Sequence, residues 1–212
     1  VNQDSAAQLR RRAPIAIVRL DDLSEALAIG RALTDGGITA LEYTLTNPEA
    51  LDAIMRVRAE LGEAVLVGAG TVLDAPGARN AIAAGAQFLV SPTLEPAVIA
   101  CGREQDVPVI CGAMTPSEIL TAHRLGADLV KVFPARTLGP AYIKDVLAPL
   151  PALRLVPTGG IELDNCRAFL DAGAYTVGLG SALIDPHLVA TADWPALTAL
   201  SRRYVQACSR AD

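Results

Sequence analysis

Lysine is scarce in this 212-residue chain: of 18 basic residues only Lys131 and Lys144 are lysines, and the other 16 are arginines. Any chemistry that needs a deprotonated amine therefore has two side chains to draw on. Lys131 lies within the run Leu129-Val130-Lys131-Val132-Phe133-Pro134. An ammonium inside a buried strand is costly to desolvate and tends to lose its proton, and a neutral amine is what attacks a carbonyl carbon. The same position also fits a lysine held by a buried carboxylate, or one that snorkels out of the fold. Lys144, in the amphipathic stretch Ala141–Leu150, reads as a solvated helix-face residue. Glu42 is the only carboxylate inside any strand-like run, in Ala40-Leu41-Glu42-Tyr43-Thr44-Leu45. Strand alternation puts Glu42 and Thr44 on one face, with Leu41, Tyr43 and Leu45 on the other. By the same parity Lys131 goes with Phe133, and Ile17 with Arg19. An inward lysine and an inward glutamate make a nucleophile and a proton shuttle, or a structural ion pair; the sequence leaves both open. Arg19 closes its run, where it either grips a substrate carboxylate or points into solvent.

Two glycine-rich turns offer a place for an anion. They are Pro157-Thr158-Gly159-Gly160-Ile161 and Gly178-Leu179-Gly180-Ser181. Each is expected to precede a helix, so that free N–H groups and a positive helix end face the ligand; the alternative is that the glycines only permit tight turns. Metal chemistry is not expected. His123 falls on a predicted helix and His187 in a predicted loop, neither with a second ligand at metal spacing. The cysteines Cys101, Cys111, Cys166 and Cys208 form no CxxC and read as reduced core or surface thiols. No GxSxG supports serine chemistry. No cofactor is predicted.

Eight apolar, β-branched runs must position these groups: Ile15–Leu20, Ala40–Leu45, Val65–Ala69, Phe88–Ser91, Val107–Cys111, Leu129–Phe133, Leu153–Thr158 and Tyr175–Leu179. Their starts recur about every 20 to 25 residues, which suits one strand, one short helix and two tight loops. Helix punctuation falls between them. Asp22 or Ser24 caps the first helix and Gly36-Gly37 ends it; Pro48-Glu49 opens the second; Thr115-Pro116-Ser117-Glu118 reads as a cap; Gly139-Pro140 opens the sixth. Gly-Ala recurs where a helix gives way to a strand, at Gly85, Gly126 and Gly173. Eight such units without a composition break predict one (βα)8 TIM barrel, an α/β fold, as a single domain over residues 1–212. The alternative is an open doubly wound sheet, but the turn after the first run lacks a GxGxxG. In a barrel the reactive groups stand at the C-terminal strand ends, and paired glycine turns after strands 7 and 8 are a usual phosphate cradle.

The composition narrows the partners. A net charge of −5 and a pI near 5.1 give no electrostatic footprint for nucleic acid or an anionic membrane. Apolar residues make up 51% of the chain and mean hydropathy is +0.35, enough to bury a core, yet no apolar run approaches the roughly 20 residues of a spanning helix. No apolar stretch follows the basic cluster Arg10-Arg11-Arg12, so no signal or transit segment is predicted and a cytoplasmic location is expected.

Six segments, in order, carry a resemblance to a known family: Leu41–Thr46, Val67–Val72, Ala86–Pro92, Gly112–Pro116, Val130–Ala135 and Val156–Ile161. From about Ile15 to Ser181 the chain resembles the 2-keto-3-deoxy-6-phosphogluconate / 4-hydroxy-2-oxoglutarate aldolases, class I enzymes on a (βα)8 barrel. The resemblance implies Lys131 as the Schiff-base lysine and Glu42 as the general acid/base, working partly through a water. It implies that Thr71 and Arg19 hold the pyruvyl carboxylate, that Pro92 and Phe133 wall the imine, and that Gly159, Gly160, Gly180 and Ser181 receive a phosphate. Some members carry an arginine where this chain has Thr46, which leaves Arg19 as the expected substitute. The implied reaction is reversible aldol cleavage of 2-keto-3-deoxy-6-phosphogluconate to pyruvate and glyceraldehyde 3-phosphate. Cleavage of 4-hydroxy-2-oxoglutarate, or of the 6-phosphogalactonate epimer, is the alternative, and a non-catalytic phosphate-ligand-binding barrel is a further one. Gly139–Lys144 resembles the phosphogalactonate relatives, and family members are homotrimers.

Overall fold

Each apolar run becomes a parallel strand in the computed structural model, which describes residues 9 and 14–209. The strands are β1 (Ile15–Val18), β2 (Ala40–Thr44), β3 (Leu66–Gly70), β4 (Leu89–Val90), β5 (Val109–Ala113), β6 (Leu129–Val132), β7 (Leu155–Pro157) and β8 (Gly178–Leu179). Sequential strands pair in order, β1 also pairs with β8, and a parallel bridge from Thr158 to Gly178 closes the ring. This is the expected (βα)8 barrel. The Arg10–Arg12 cluster lies outside the described residues, and no described helix is long and apolar enough to cross a membrane.

The strands are shorter than the apolar runs that announce them. Val65, Phe88 and Leu153 are buried on the approach to the barrel without joining a strand, because hydrophobicity marks burial whereas ladder hydrogen bonds mark a strand. Period-two alternation sorts the buried residues into two cores. Ile15, Ala40, Leu66, Ile110, Leu129 and Val156 point inward and, with Phe88, Val90 and Leu9, fill the lumen. The opposite parity, including Val18, Leu41, Val67, Leu89 and Val130, packs beneath the helices.

The helices are α1 (Ala26–Asp35), α2 (Ala50–Leu61), α3 (Ala75–Ala83), α4 (Pro96–Glu104), α5 (Pro116–Leu125), α6 (Gly139–Leu147), α7 (Cys166–Asp171), α8 (Pro186–Ala190) and α9 (Trp194–Cys208). The Thr115/Glu118 capping box is present on α5, and α6 opens at Gly139. Gly85, Gly126 and Gly173 have φ of 95°, 98° and 105°, so each Gly-Ala places a glycine where the chain turns left-handed out of a helix. The α1 cap is a correction. Glu25, without a side-chain bond, precedes α1, while Asp22 spends its carboxylate on the Ser24 N–H at 2.8 Å, closing a turn ahead of the helix. His187 sits in α8 rather than in a loop. All four cysteines are free and buried, so none is a surface thiol. The C-terminal α9 docks on α1, where Thr198 Oγ1 donates to the Ala32 carbonyl at 2.9 Å.

Close packing at the strand ends depends on Gly112. A Cβ there would stand 2.1 and 2.2 Å from the Pro92 carbonyl carbon and oxygen and 2.5 Å from the Thr93 nitrogen. These are backbone atoms that cannot swing aside. Gly112→Ala is expected to cost roughly 1–3 kcal/mol, the usual toll of overpacking. It should lower the urea midpoint without changing the slope; an unchanged midpoint would show that the β4 and β5 ends are not packed this tightly.

Candidate active site

Lys131 is held on the inner face of β6, in register with Gly112 on β5 and Val156 on β7. Glu42 is held on the inner face of β2, in register with Ile17 on β1 and Gly68 on β3. In the closed ring β2 and β6 are four strands apart in either direction. The two ionisable side chains therefore rise from opposite walls of one lumen. Both are buried, Lys131 to 4% exposure and Glu42 to 2%. Room for the carboxylate comes from Gly70, whose missing Cβ would lie 2.1 Å from Glu42 Oε1 and 2.7 Å from its Cδ.

No described carboxylate lies within 4.0 Å of Lys131, so the salt bridge that the sequence left open is not made. The Lys131 Nζ instead stands 5.4 Å from the centroid of the Phe133 ring. Glu42 Oε1 is buried without a hydrogen-bond partner among the described residues. Burial raises the Glu42 pKa above its ordinary 4.5, a shift the positive charges of Lys131 and Arg19 only partly oppose. A carboxyl group with a raised pKa exchanges its proton nearer to neutral pH, as a general acid/base must.

Above this pair the C-terminal strand ends form two cavities. One, of about 470 Å³, is lined by Arg19, Thr46, Asn47, Thr71 and Pro92 among others. The other, of about 240 Å³, is lined by Arg19, Phe133, Gly159, Gly160, Gly180 and Ser181, with Ile17, Thr158, Arg136 and Glu162. The eight substrate-binding residues expected from the sequence thus divide between two adjoining cavities, and Arg19 belongs to both. Gly159 and Gly160 have φ of 88° and 78°, a left-handed backbone form that favours glycine. A larger cavity, about 760 Å³, lies between α1 and α9 on the outer helical layer, away from the strand ends.

One part of the anion reading needs correction. The glycine turns do not run straight into helices: α7 begins at Cys166 and α8 at Pro186. A helix dipole acts only within its first turn, so an anion at Gly160 or Ser181 relies on backbone N–H groups, hydroxyls and cations.

Several site residues escaped the sequence reading. Asn47 Nδ2 donates to the carbonyls of Leu20 at 3.1 Å and Asp21 at 2.9 Å, tying the loop after β2 to the loop that carries Arg19. Its signal was a polar residue just past a strand and before a proline. Thr158 is buried against Gly178, whose Cβ would meet its Oγ1 at 2.5 Å. Arg136 was passed over because it follows the Lys131 strand rather than lying in it.

The aldolase family described as KDPG and KHG aldolase matches residues 6–200. The chain is 39% identical over 93% of its length, and 94% of the relative's, to 2-dehydro-3-deoxy-phosphogluconate aldolase of Treponema pallidum. It is 35% identical, over 83% of its length and 84% of the relative's, to a probable 2-dehydro-3-deoxy-6-phosphogalactonate aldolase of Rhizobium meliloti. Among solved structures it superposes with TM-score 0.87 and 29% identity on KDPG aldolase from Legionella pneumophila, which holds pyruvate as a covalent carbinolamine intermediate; 95% of this chain and 98% of that one are covered. A barrel that brings a buried lysine and an unpartnered glutamate beneath such cavities belongs, on these matches, to the KDPG and KHG aldolase family.

Proposed function

We propose that this chain catalyses the reversible aldol cleavage of 2-keto-3-deoxy-6-phosphogluconate to pyruvate and glyceraldehyde 3-phosphate, through a Schiff base on Lys131. The observation that carries this reading is a lysine buried in the barrel lumen with no carboxylate upon it. The Lys131 amine adds to the C2 ketone, and Glu42 relays the protons that turn the alkoxide into a carbinolamine and expel its hydroxyl as water. The resulting cationic imine is the electron sink. Glu42, through a water, takes the proton of the C4 hydroxyl, the C3–C4 bond breaks, and its electrons form an enamine while the aldehyde leaves. Protonation of the enamine at C3 and addition of water release pyruvate and restore the amine. No redox step occurs, and the imine does the work a cofactor would otherwise do.

Arg19 and Thr71 hold the pyruvyl carboxylate in the larger of the two strand-end cavities, where Arg19 is the one cation among the lining residues. Thr46, where some relatives carry arginine, offers a hydroxyl bonded to Thr44 at 3.1 Å. Pro92 and Phe133 exclude water from the imine. Gly159, Gly160, Gly180 and Ser181 receive the phosphate. Cleavage of 4-hydroxy-2-oxoglutarate to pyruvate and glyoxylate uses the same lysine and carboxylate cavity, and the ratio of kcat/KM for the two substrates decides between them. By family resemblance the enzyme works as a cytoplasmic homotrimer, each chain one catalytic barrel domain.

Borohydride reduction with pyruvate is expected to leave a pyruvyl adduct on the Lys131 peptide, read by mass spectrometry. A phosphate-binding barrel without catalysis would give none. Lys131→Ala should abolish turnover, and Glu42→Gln should lower kcat by roughly 10²–10⁴, the usual worth of general acid–base catalysis. A Lys131→Ala enzyme that keeps most of its activity sinks the mechanism.

The raised Glu42 pKa has two further consequences. The acid limb of kcat/KM should fall above the ordinary glutamate value of 4.5, and Glu42→Gln should remove it. For stability, the native state keeps this proton to a higher pH than the unfolded chain does. The stabilisation so gained is complete below about 4.5 and is lost as pH rises through the native pKa. The urea midpoint of the parent should therefore fall relative to Glu42→Gln as pH increases, and parallel midpoints across that range would show Glu42 to be ordinary.

A further inference from the structure

We propose that Arg136 is a second cation of the phosphate cavity, binding the distal phosphate directly and tuning this chain toward phosphorylated keto acids. The inference rests on the aldolase reading above and adds a residue to it. Arg136 lies in the short 3₁₀ turn Ala135–Thr137 that follows β6. The Ala135 N–H donates to the Thr158 carbonyl at 2.8 Å, which fastens this turn beside the glycine turn after β7. The side chain then lies along that turn: a Cβ on Gly160 would meet Arg136 Cβ at 2.7 Å and its Nε at 2.8 Å. A glycine is thus what lets the Arg136 side chain lie against the backbone at residue 160. Arg136 lines the same cavity as Arg19, Gly159, Gly160 and Ser181.

The guanidinium is uncommitted. Glu162 stands on the rim of this cavity, yet no described carboxylate lies within 4.0 Å of Arg136. The site also calls for a cation. Neither α7 nor α8 starts at the glycine turns, so no helix end supplies positive potential there. Arg19 is shared with the neighbouring cavity, where it is the cation that meets the pyruvyl carboxylate. If Arg19 is occupied at one end of the substrate, the phosphate dianion at the other end needs its own positive charge. Arg136 is the remaining cation lining the cavity, and its planar fork suits phosphate oxygens.

Arg136→Met tests the charge, because it keeps an apolar stem over Gly160, and Arg136→Lys restores the charge. With Arg136→Met, kcat/KM for 2-keto-3-deoxy-6-phosphogluconate should fall roughly tenfold relative to that for 4-hydroxy-2-oxoglutarate, mostly through KM, a charge-assisted bond discounted for exposure. Competitive inhibition by inorganic phosphate should weaken by a similar factor, and Arg136→Lys should recover most of both. A substrate ratio and a phosphate inhibition constant within twofold of the parent in Arg136→Met would overturn the proposal, as would equal losses in Arg136→Met and Arg136→Lys, which mark a packing role. The parent's pyruvate adduct on Lys131 is the separate control. Its absence sinks the aldolase reading, while calorimetric titration of parent and Arg136→Met with inorganic phosphate still decides whether Arg136 binds the anion.

Discussion

An amine and a carboxylate share one closed lumen here without forming an ion pair, and the proposed chemistry depends on that separation. Two unit charges 4 Å apart attract by about 4 kcal/mol at an effective dielectric constant near 20, so flexible supports would let them collapse together. The barrel starts them from opposite walls. β2 and β6 are four strands apart whichever way the ring is followed, and each side chain is anchored by a register fixed on both sides. At Glu42 the result is an Oε1 buried with no hydrogen-bond partner among the described residues. A fold optimised for stability alone would fill that place with an apolar residue.

The inner glycines show how the lumen accommodates this arrangement. The space that a side chain at Gly68 would fill is taken by the Phe88 ring, 2.4 Å from the absent Cβ, while the space at Gly70 goes to the Glu42 carboxylate. Phe88 belongs to the apolar layer that seals the lumen, together with Leu9. One strand thus carries two glycines of the same parity with different purposes: one admits the floor of the barrel and the next admits its carboxylate. The apolar layer closes the lumen on one side, and both strand-end cavities sit on the other.

The sequence disclosed whatever depends on alternation and on residue type. Parity placed Glu42 with Thr44 and Lys131 with Phe133, and barrel closure brought the two pairs into one lumen, because a strand leaves a side chain only two directions. The recurring Gly-Ala was legible because a left-handed turn has few acceptable residues. Loop conformation was less legible. Asp22 and Ser24 both look like helix caps, but their own backbone and side chain close a turn first, and a cap motif cannot announce which of two local bonds wins. The glycine turns read as direct openings of helices, yet the chain runs on from Gly160 to Cys166 before a helix starts. Asn47 and Arg136 were missed for a related reason. Their neighbours come from other βα loops, and only closure of the ring brings those loops together.

Anion recognition at this site must be a short-range matter. The chain carries a net charge of −5, so at long range an anionic substrate gains nothing from the protein as a whole. At physiological ionic strength, however, the field of exposed charges decays over about 8 Å. What the substrate meets at the strand ends is then set by the groups lining the two cavities: Arg19 with Asp21 in one, Arg19 and Arg136 with Glu162 in the other. Each cavity lining holds a carboxylate as well as a cation, though no salt bridge joins them, so neither is a simple positive funnel. Geometry has to do the selecting. Backbone N–H groups at Gly159 and Gly160 and planar guanidinium forks reward a ligand whose oxygens converge on them, whereas diffuse negative charge gains little. Under the proposed function, a site built this way would tell one keto acid from another by where its second anionic group falls along the line from the Lys131 amine.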